Sequence, residues 1–564
     1  MDFRMKVSVK KIIMGVTACF GLGQAALAES IPDFKNMLRA AEQGDPEAQL
    51  SIGAMYANGQ GIGQDNRLAV QWFRKAAEQE NAKAQFNLGV MYQLGQGVGQ
   101  DYVQAAEWYR KAAEQGDTGA QNNLGMLYQN GQGVSQDYAQ AEKWFYRAAN
   151  QENTDAQLNL GMLYANGQGV GKDYEQALKW FRRAADHGDA IGQYNLGVAY
   201  ANGEGVHQDH IQAIGWYRKA AEQGNVDAQY NLGGMYASGK GVRQDYVQAI
   251  EWYRKAAEQG DMVAQLNVGV MYANGQGVEQ DYVQAVKWYR KAAEQGNAKA
   301  QFNLGVVYAT GQGDRQDYVQ AAQWYHKAAE QGLADAQYNL GVMYEQGRGV
   351  HKDDAQAVQW YRRAAEQGYA EAQTNLGVAY DNGKGVRQDD VQAVQWYRKA
   401  AEQGNAKAQL NLGVMYANGR GVRQDDAQAA GWFLKAAEQG FAESQYNLGV
   451  MYEQGRGVHK DDAQAVQWYR RAAEQGYADA QHNLGVMYLN GQGVRQDDAQ
   501  AAGWFLKAAE QGYVKAQSNL GVMYYNGQGV RQNYKIAKDW FGKACDNGLQ
   551  RGCDAYRELN QKGY

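Results

Sequence analysis

A chain of 564 residues is longer than one hydrophobic core supports, and a formal net charge of −5 without a basic run argues against a nucleic-acid partner. The composition sets 70 glycines against 2 prolines, a pattern of many turns inside folded structure and not of low complexity.

At the amino end, Arg4, Lys6, Lys10 and Lys11 precede an apolar stretch from Ile12 to Leu27, which closes on Ala26-Leu27-Ala28 before Glu29. This predicts a signal peptide over residues 1–28 and an exported protein, periplasmic or secreted. Glycines interrupt the stretch and it is too short for a permanent span, so no transmembrane segment is expected in the mature chain. An alternative takes Val16-Thr17-Ala18-Cys19 as a lipoprotein-type box with Cys19 acylated. Residues 29–44 follow as an N-terminal capping helix, because IPDFKNMLRAAEQ matches only the second half of the unit described next.

From residue 45 to 551 a 36-residue unit recurs without insertion or deletion, and its tryptophans, Trp72, Trp108 and onward to Trp540, account for all 14 in the chain. In the unit starting at Ala84, the residues Ala84, Leu88, Gly89, Met91 and Tyr92 recur at helical spacing and end at Gly95-Gln96-Gly97 (helix A). Ala105, Trp108, Tyr109, Ala112 and Ala113 make a second apolar stripe that stops at Gly116 (helix B). Asp101 is the expected N-cap of helix B, with Gln104 completing a capping box, and Asp117 or its equivalents open the next helix A. Gly89 recurs in mid-helix in every unit although glycine there costs about 1 kcal/mol against alanine, which predicts a close approach of helix B. Trp108 and Tyr109 are expected to fill the space between consecutive hairpins.

Residues 552–564 match the first half of a unit and predict a C-terminal capping helix. With residues 1–28 removed, the remaining cysteines are Cys545 and Cys553, at the end of one helix and the start of the next. A disulfide there closes a short loop and contributes roughly 2–3 kcal/mol.

The pattern AQ-x-NLG-x-MY-x-NG-x-G, followed by QD-x-x-QA-x-x-W-[YF]-x-KAAEQG, resembles the Sel1-like repeat family, related to the tetratricopeptide repeat, over residues 45–551. The resemblance implies an all-α fold, a right-handed αα-superhelix or solenoid of 14 tandem helix-turn-helix repeats with terminal capping helices. It also implies an adaptor scaffold, including exported bacterial members that contact envelope or host proteins. The segment KACDNGLQRGC further resembles a cysteine-rich exported branch, although here the pair stands in the final unit alone.

No chemistry nominates itself. Gly234 to Gly241 departs from a phosphate-binding loop by Gly241 in place of the metal-binding hydroxyl, and it crosses a helix end instead of a strand-to-helix turn. His207 and His210 approach ligand spacing, but Asp209 between them is already an N-cap. No catalytic residue, cofactor or metal is expected.

The informative positions are those the unit leaves variable. The third place of helix A holds Leu50, Phe86, Asn122, Leu158, Tyr194, Tyr230, Leu266, Phe302, Tyr338, Thr374, Leu410, Tyr446, His482 and Ser518. It shares a helical face with Gln93, Ala201, Glu345, Asp381, Glu453 and Tyr525, a mixed and therefore wetted set expected on the concave side. A second row in the turns becomes basic toward the carboxyl end, through Arg387, Arg423, Arg495 and Arg531. Residues 337–370 and 445–478 are identical, which argues against a code read one side chain per repeat. The expectation is a monomeric, noncatalytic exported scaffold that binds a partner protein through Phe86, Tyr194, Tyr230, Phe302, Tyr338 and Tyr446. The alternative is recognition of envelope glycan or peptidoglycan by the same surface.

Overall fold

The computed structural model describes residues 31–564, so the signal-peptide and Cys19 readings lie outside the described residues. Thirty α-helices and no strand occur among them. Helix α1 (Ile31–Glu42) precedes fourteen hairpins, and α30 (Gln550–Gln561) follows them. The first hairpin is α2 (Pro46–Asn58) with α3 (Asn66–Glu78), the second α4 (Ala82–Leu94) with α5 (Tyr102–Glu114), and the last α28 (Val514–Asn526) with α29 (Tyr534–Asp546). Contacts divide the chain into two compact units, one up to Ala292 and one from Ala293, and the same local rules operate inside each.

Helix ends explain why the hairpins are so regular. Asp101 accepts hydrogen bonds from the Val103 and Gln104 amides at 2.9 and 3.1 Å, which satisfies two otherwise orphaned donors of α5. The expected capping box does not form. The Asp101 amide is already committed to the Tyr92 carbonyl at 2.9 Å, closing the turn, and the Gln104 side chain donates to Glu107 instead. Helix α4 ends on Gly95 at φ 70°, in the left-handed region that glycine enters without strain.

Close approach accounts for two further glycines. A Cβ on Gly89 would fall 2.7 Å from the Tyr109 ring, so the missing side chain is what lets the two helices of a hairpin meet. A Cβ on Gly97 would fall 2.1 Å from the Asn66 carbonyl oxygen, so the turn of one repeat rests on the first residue of helix B in the repeat before it. Gly97 also adopts φ 71°.

Polar side chains join successive hairpins as well. Gln85 is buried, donates to the Ala77 carbonyl at 3.0 Å, and accepts at 2.8 Å from Gln115 thirty residues later. The same rung recurs as Gln373 with Gln403 and as Gln481 with Gln511. Arg110 reaches across to the Tyr128 hydroxyl at 3.0 Å. Trp180 is buried with Leu160 and Leu163 of its own helix A and with Phe145 and Ala148 of the preceding helix B, which is the packing expected for tryptophan. At the carboxyl end, Leu559 of α30 is buried against Phe541, and the Cys545–Cys553 disulfide ties α30 to α29.

Candidate functional site

Within each hairpin, the third residue of helix A meets the aromatic residue that follows tryptophan on helix B. Phe86 lies 5.8 Å from Tyr109 between ring centroids, and Tyr194 lies 5.9 Å from Tyr217. Both are buried, at 7% and 3% exposure, and are spent on packing. Tyr230, Phe302, Tyr338 and Tyr446 make the same contact with Tyr253, Tyr325, Tyr361 and Tyr469, at 5.6 to 5.9 Å, but remain half-buried. These four are the members of the expected set with surface to offer.

The unit that begins at Ala293 adds a feature that a search for repeating motifs passes over. The N-cap of helix A is Asp117 or an equivalent Asn or Asp in many repeats, but at Leu333, Tyr369, Phe441, Tyr477 and Tyr513 it is apolar or aromatic and makes no side-chain cap. Each such loss costs about 1 kcal/mol of helix stability. Three of these side chains stack instead on the third-place residue of the preceding helix A. Tyr369 lies 5.2 Å from Tyr338, Tyr477 5.3 Å from Tyr446, and Tyr513 5.1 Å from His482.

Carboxylates border these aromatic pairs. Burial raises the Tyr369 hydroxyl to about 12, assisted by Asp335 and Glu371, and it raises Tyr477 to about 12, assisted by Glu443 and Asp479. Tyr513 is pushed up to about 12 in the same way, by burial first and then by Asp479. The result is a half-exposed face of tyrosine rings with acidic margins. That arrangement suits planar apolar contact and cation recognition. The signal was present in the sequence as Gln-Gly-Tyr and Gln-Gly-Phe in place of Gln-Gly-Asp.

The second variable position of helix A is less free than its mixed composition suggested. Glu345 accepts from the Tyr361 hydroxyl at 2.7 Å, Glu453 from Tyr469 at 2.6 Å, and Gln93 from Tyr109 at 2.5 Å. Burial pushes the Glu345 carboxyl up, yet hydrogen bonds from Tyr361 and Lys384 outweigh it and hold the group below the ordinary glutamate value. The basic turn row, Arg387, Arg423, Arg495 and Arg531, is exposed. His207 is exposed, and His210 begins its helix with its Cβ beneath Gly241 of the next turn. Lys240 stands in that interhelical turn, directly after the C-cap Gly239. No group of three or more metal-ligating side chains occurs among the described residues, and no described helix is long and apolar enough to cross a membrane.

Fourteen consecutive segments, from 46–81 and 82–117 to 478–513 and 514–549, match the Sel1 repeat. The chain therefore belongs to the Sel1 repeat family, whose solenoids generally mediate protein–protein interaction and are generally noncatalytic. It is similar to c5321 of Escherichia coli, described as a protective antigen present in uropathogenic strains and displaying an SLR fold. The identity is 37% over 87% of this chain and 97% of that one, with a TM-score of 0.66. A Sel1 repeat protein from Oxalobacter formigenes is 35% identical over 56% of this chain and 93% of its own, with a TM-score of 0.45. No curated protein matches the chain.

Proposed function

We propose that this protein is a noncatalytic exported scaffold that holds a partner protein of the cell envelope or of a host on the helix-A face of its repeats. The observation that carries this reading is the exchange of helix caps for half-exposed rings. Tyr369 and Tyr477 each forgo a cap worth about 1 kcal/mol and present an aromatic surface beside Tyr338 and Tyr446. Aromatic side chains of this kind supply much of the binding energy at protein interfaces. Export is supported by the basic-then-apolar amino end and by a disulfide that persists in oxidising compartments.

The test is crosslinking in intact cells followed by mass spectrometry, with the wild type set against Tyr338→Ala, Tyr369→Ala, Tyr446→Ala and Tyr477→Ala combined. Loss of one defined crosslinked partner, with helicity retained, supports the face; unchanged capture removes it. Rings bordered by carboxylates also suit sugars. Retention on purified cell-wall polymer with no protein recovered would therefore favour glycan recognition by the same residues.

A further inference from the structure

The identical blocks 337–370 and 445–478 place the same carboxylates, Glu345 with Asp354 and Glu453 with Asp462, in two different repeats. In both, the second glycine of the following turn rests on the start of helix B. A Cβ on Gly385 would fall 2.1 Å from the Asp354 carbonyl oxygen, and one on Gly493 would fall 2.1 Å from that of Asp462. The residue just before this glycine is thereby held beside the carboxylates.

In the first copy that residue is Lys384. Its Nζ donates to Glu345 Oε1 at 2.9 Å and lies 3.5 Å from Asp354 Oδ1. At the next turn Arg420 pairs with both Asp381 and Asp390, and at the one after that Arg456 reaches Asp426 at 2.8 Å. Three consecutive turns thus supply a cation to the carboxylates of the preceding repeat.

The fourth turn does not. Gln492 stands where Lys384 stands in the first copy, and its amide oxygen accepts from Asn490 at 3.4 Å. Glu453 still accepts from Tyr469, as Glu345 does from Tyr361, so its carboxylate is held in the same way. Asp462 Oδ1 is buried without a hydrogen-bond partner, as Asp354 Oδ1 is in the first copy, so the two sites differ in the cation that Lys384 brings to Glu345. Lys460, with a 61% exposed side chain, makes a loose ion pair with Asp462 at 3.8 Å and leaves Glu453 without a cation.

We propose that Glu453 and Asp462 receive the ammonium or guanidinium group of a lysine- or arginine-bearing segment of a partner protein, in the position that Lys384 fills in the sister repeat. The occupant follows from charge complementarity and from the internal precedent, since an identical set of side chains already binds a primary ammonium elsewhere in the chain. Glu453, already held by the Tyr469 hydroxyl, gains a charge-assisted hydrogen bond from such a group, as Glu345 does from Lys384. Half-buried Tyr446, seven residues before Glu453 and on the same face of its helix, offers the stem of the incoming side chain an apolar wall. The site rests on the reading that this unit binds a protein, and it specifies the chemistry of the segment that docks there.

The test uses the full chain and a fluorescein-labelled Gly-Ser peptide carrying lysines, with the same peptide carrying glutamines as reference, read by fluorescence anisotropy. The lysine peptide binds and the glutamine peptide does not. Gln492→Lys installs the chain's own ammonium and weakens binding at least tenfold. Lys384→Gln opens the sister site and raises the stoichiometry from one peptide to two. Gln96→Lys adds the same charge at a turn whose counterpart positions, Ala57 and Asn66, are uncharged, and leaves the affinity unchanged. Equal binding of both peptides, or binding indifferent to Gln492→Lys, overturns the site. If Gln492→Lys has no effect while the tyrosine substitutions abolish capture, the site falls and the aromatic face stands. A Gln492→Lys effect with capture unchanged supports the site and removes the face.

Discussion

A Cβ built on Gly89 would fall 2.7 Å from the ring of Tyr109, and the same relationship recurs at 2.6 Å between Gly377 and Tyr397. Tyr109 is fully buried and donates to Gln93, so the ring has nowhere to retreat. Gly89→Ala is expected to destabilise its hairpin by roughly 1–3 kcal/mol through overpacking, despite alanine's better helix propensity. Hydrogen exchange over residues 82–114 measures this locally, as suits a chain whose repeats contact their neighbours. Combining Gly89→Ala with Tyr109→Ala should cost less than the sum of the two changes. Strict additivity would show that the contact does not limit the approach.

The glutamine rungs supply a gain-of-stability test. Gln157 is buried and donates to the Ala149 carbonyl, but its Oε1 has no hydrogen-bond partner, because the position thirty residues on is His187 where other repeats carry glutamine. Restoring the donor with His187→Gln is expected to stabilise that step by about 1 kcal/mol. The reverse change in a complete rung, Gln115→Ala, strands Gln85 Oε1 and is expected to cost roughly 1–3 kcal/mol. Equal melting behaviour of the two variants would show that these side chains add nothing to the coupling of repeats.

The hairpins, their punctuation and the mid-helix glycine were legible because a strict 36-residue period presents each requirement fourteen times, and Asp101 and Gly95 can each satisfy only one kind of helix end. The Gln85–Gln115 rung was not legible, since its partners are distant in sequence and a buried glutamine looks like any polar residue on a helix. The capping box at Gln104 failed for the same kind of reason: the amide it needed is consumed by a carbonyl of the previous helix. Phe86 and Tyr194 differ from Tyr338 and Tyr446 in burial and not in residue class, so the sequence could not separate them.

The disulfide makes a local prediction. Cys545 and Cys553 are eight positions apart, and cross-linking so short a loop contributes roughly 2–3 kcal/mol on the chain-entropy estimate. Replacing both by alanine should raise hydrogen exchange in α30 and at Phe541 while leaving the repeats before Val514 unchanged. A uniform loss of protection along the second unit would instead make α30 a determinant of the whole array's stability.

His482 ties stability to pH through an identifiable environment. It is buried between Phe505 at 5.5 Å and Tyr513 at 5.1 Å, and its Nδ1 has no hydrogen-bond partner. Its pKa is lowered from 6.5 to about 4, by burial first and then by the Lys515 charge, with Asp479 opposing them. A histidine depressed in the folded state leaves stability intact above pH 6.5 and removes it as pH falls from 6.5 toward 4, because only the unfolded chain takes up the proton in that window. The full linkage is on the order of 3 kcal/mol. Hydrogen exchange over residues 478–513, corrected for intrinsic rates, should report this loss between pH 7 and pH 4.5. His482→Phe places there the residue that Phe86 and Phe302 provide in other repeats, keeps the ring contacts, and is expected to abolish the pH dependence. Persistence of the same acid sensitivity in that variant would assign it to the carboxylates of the aromatic face.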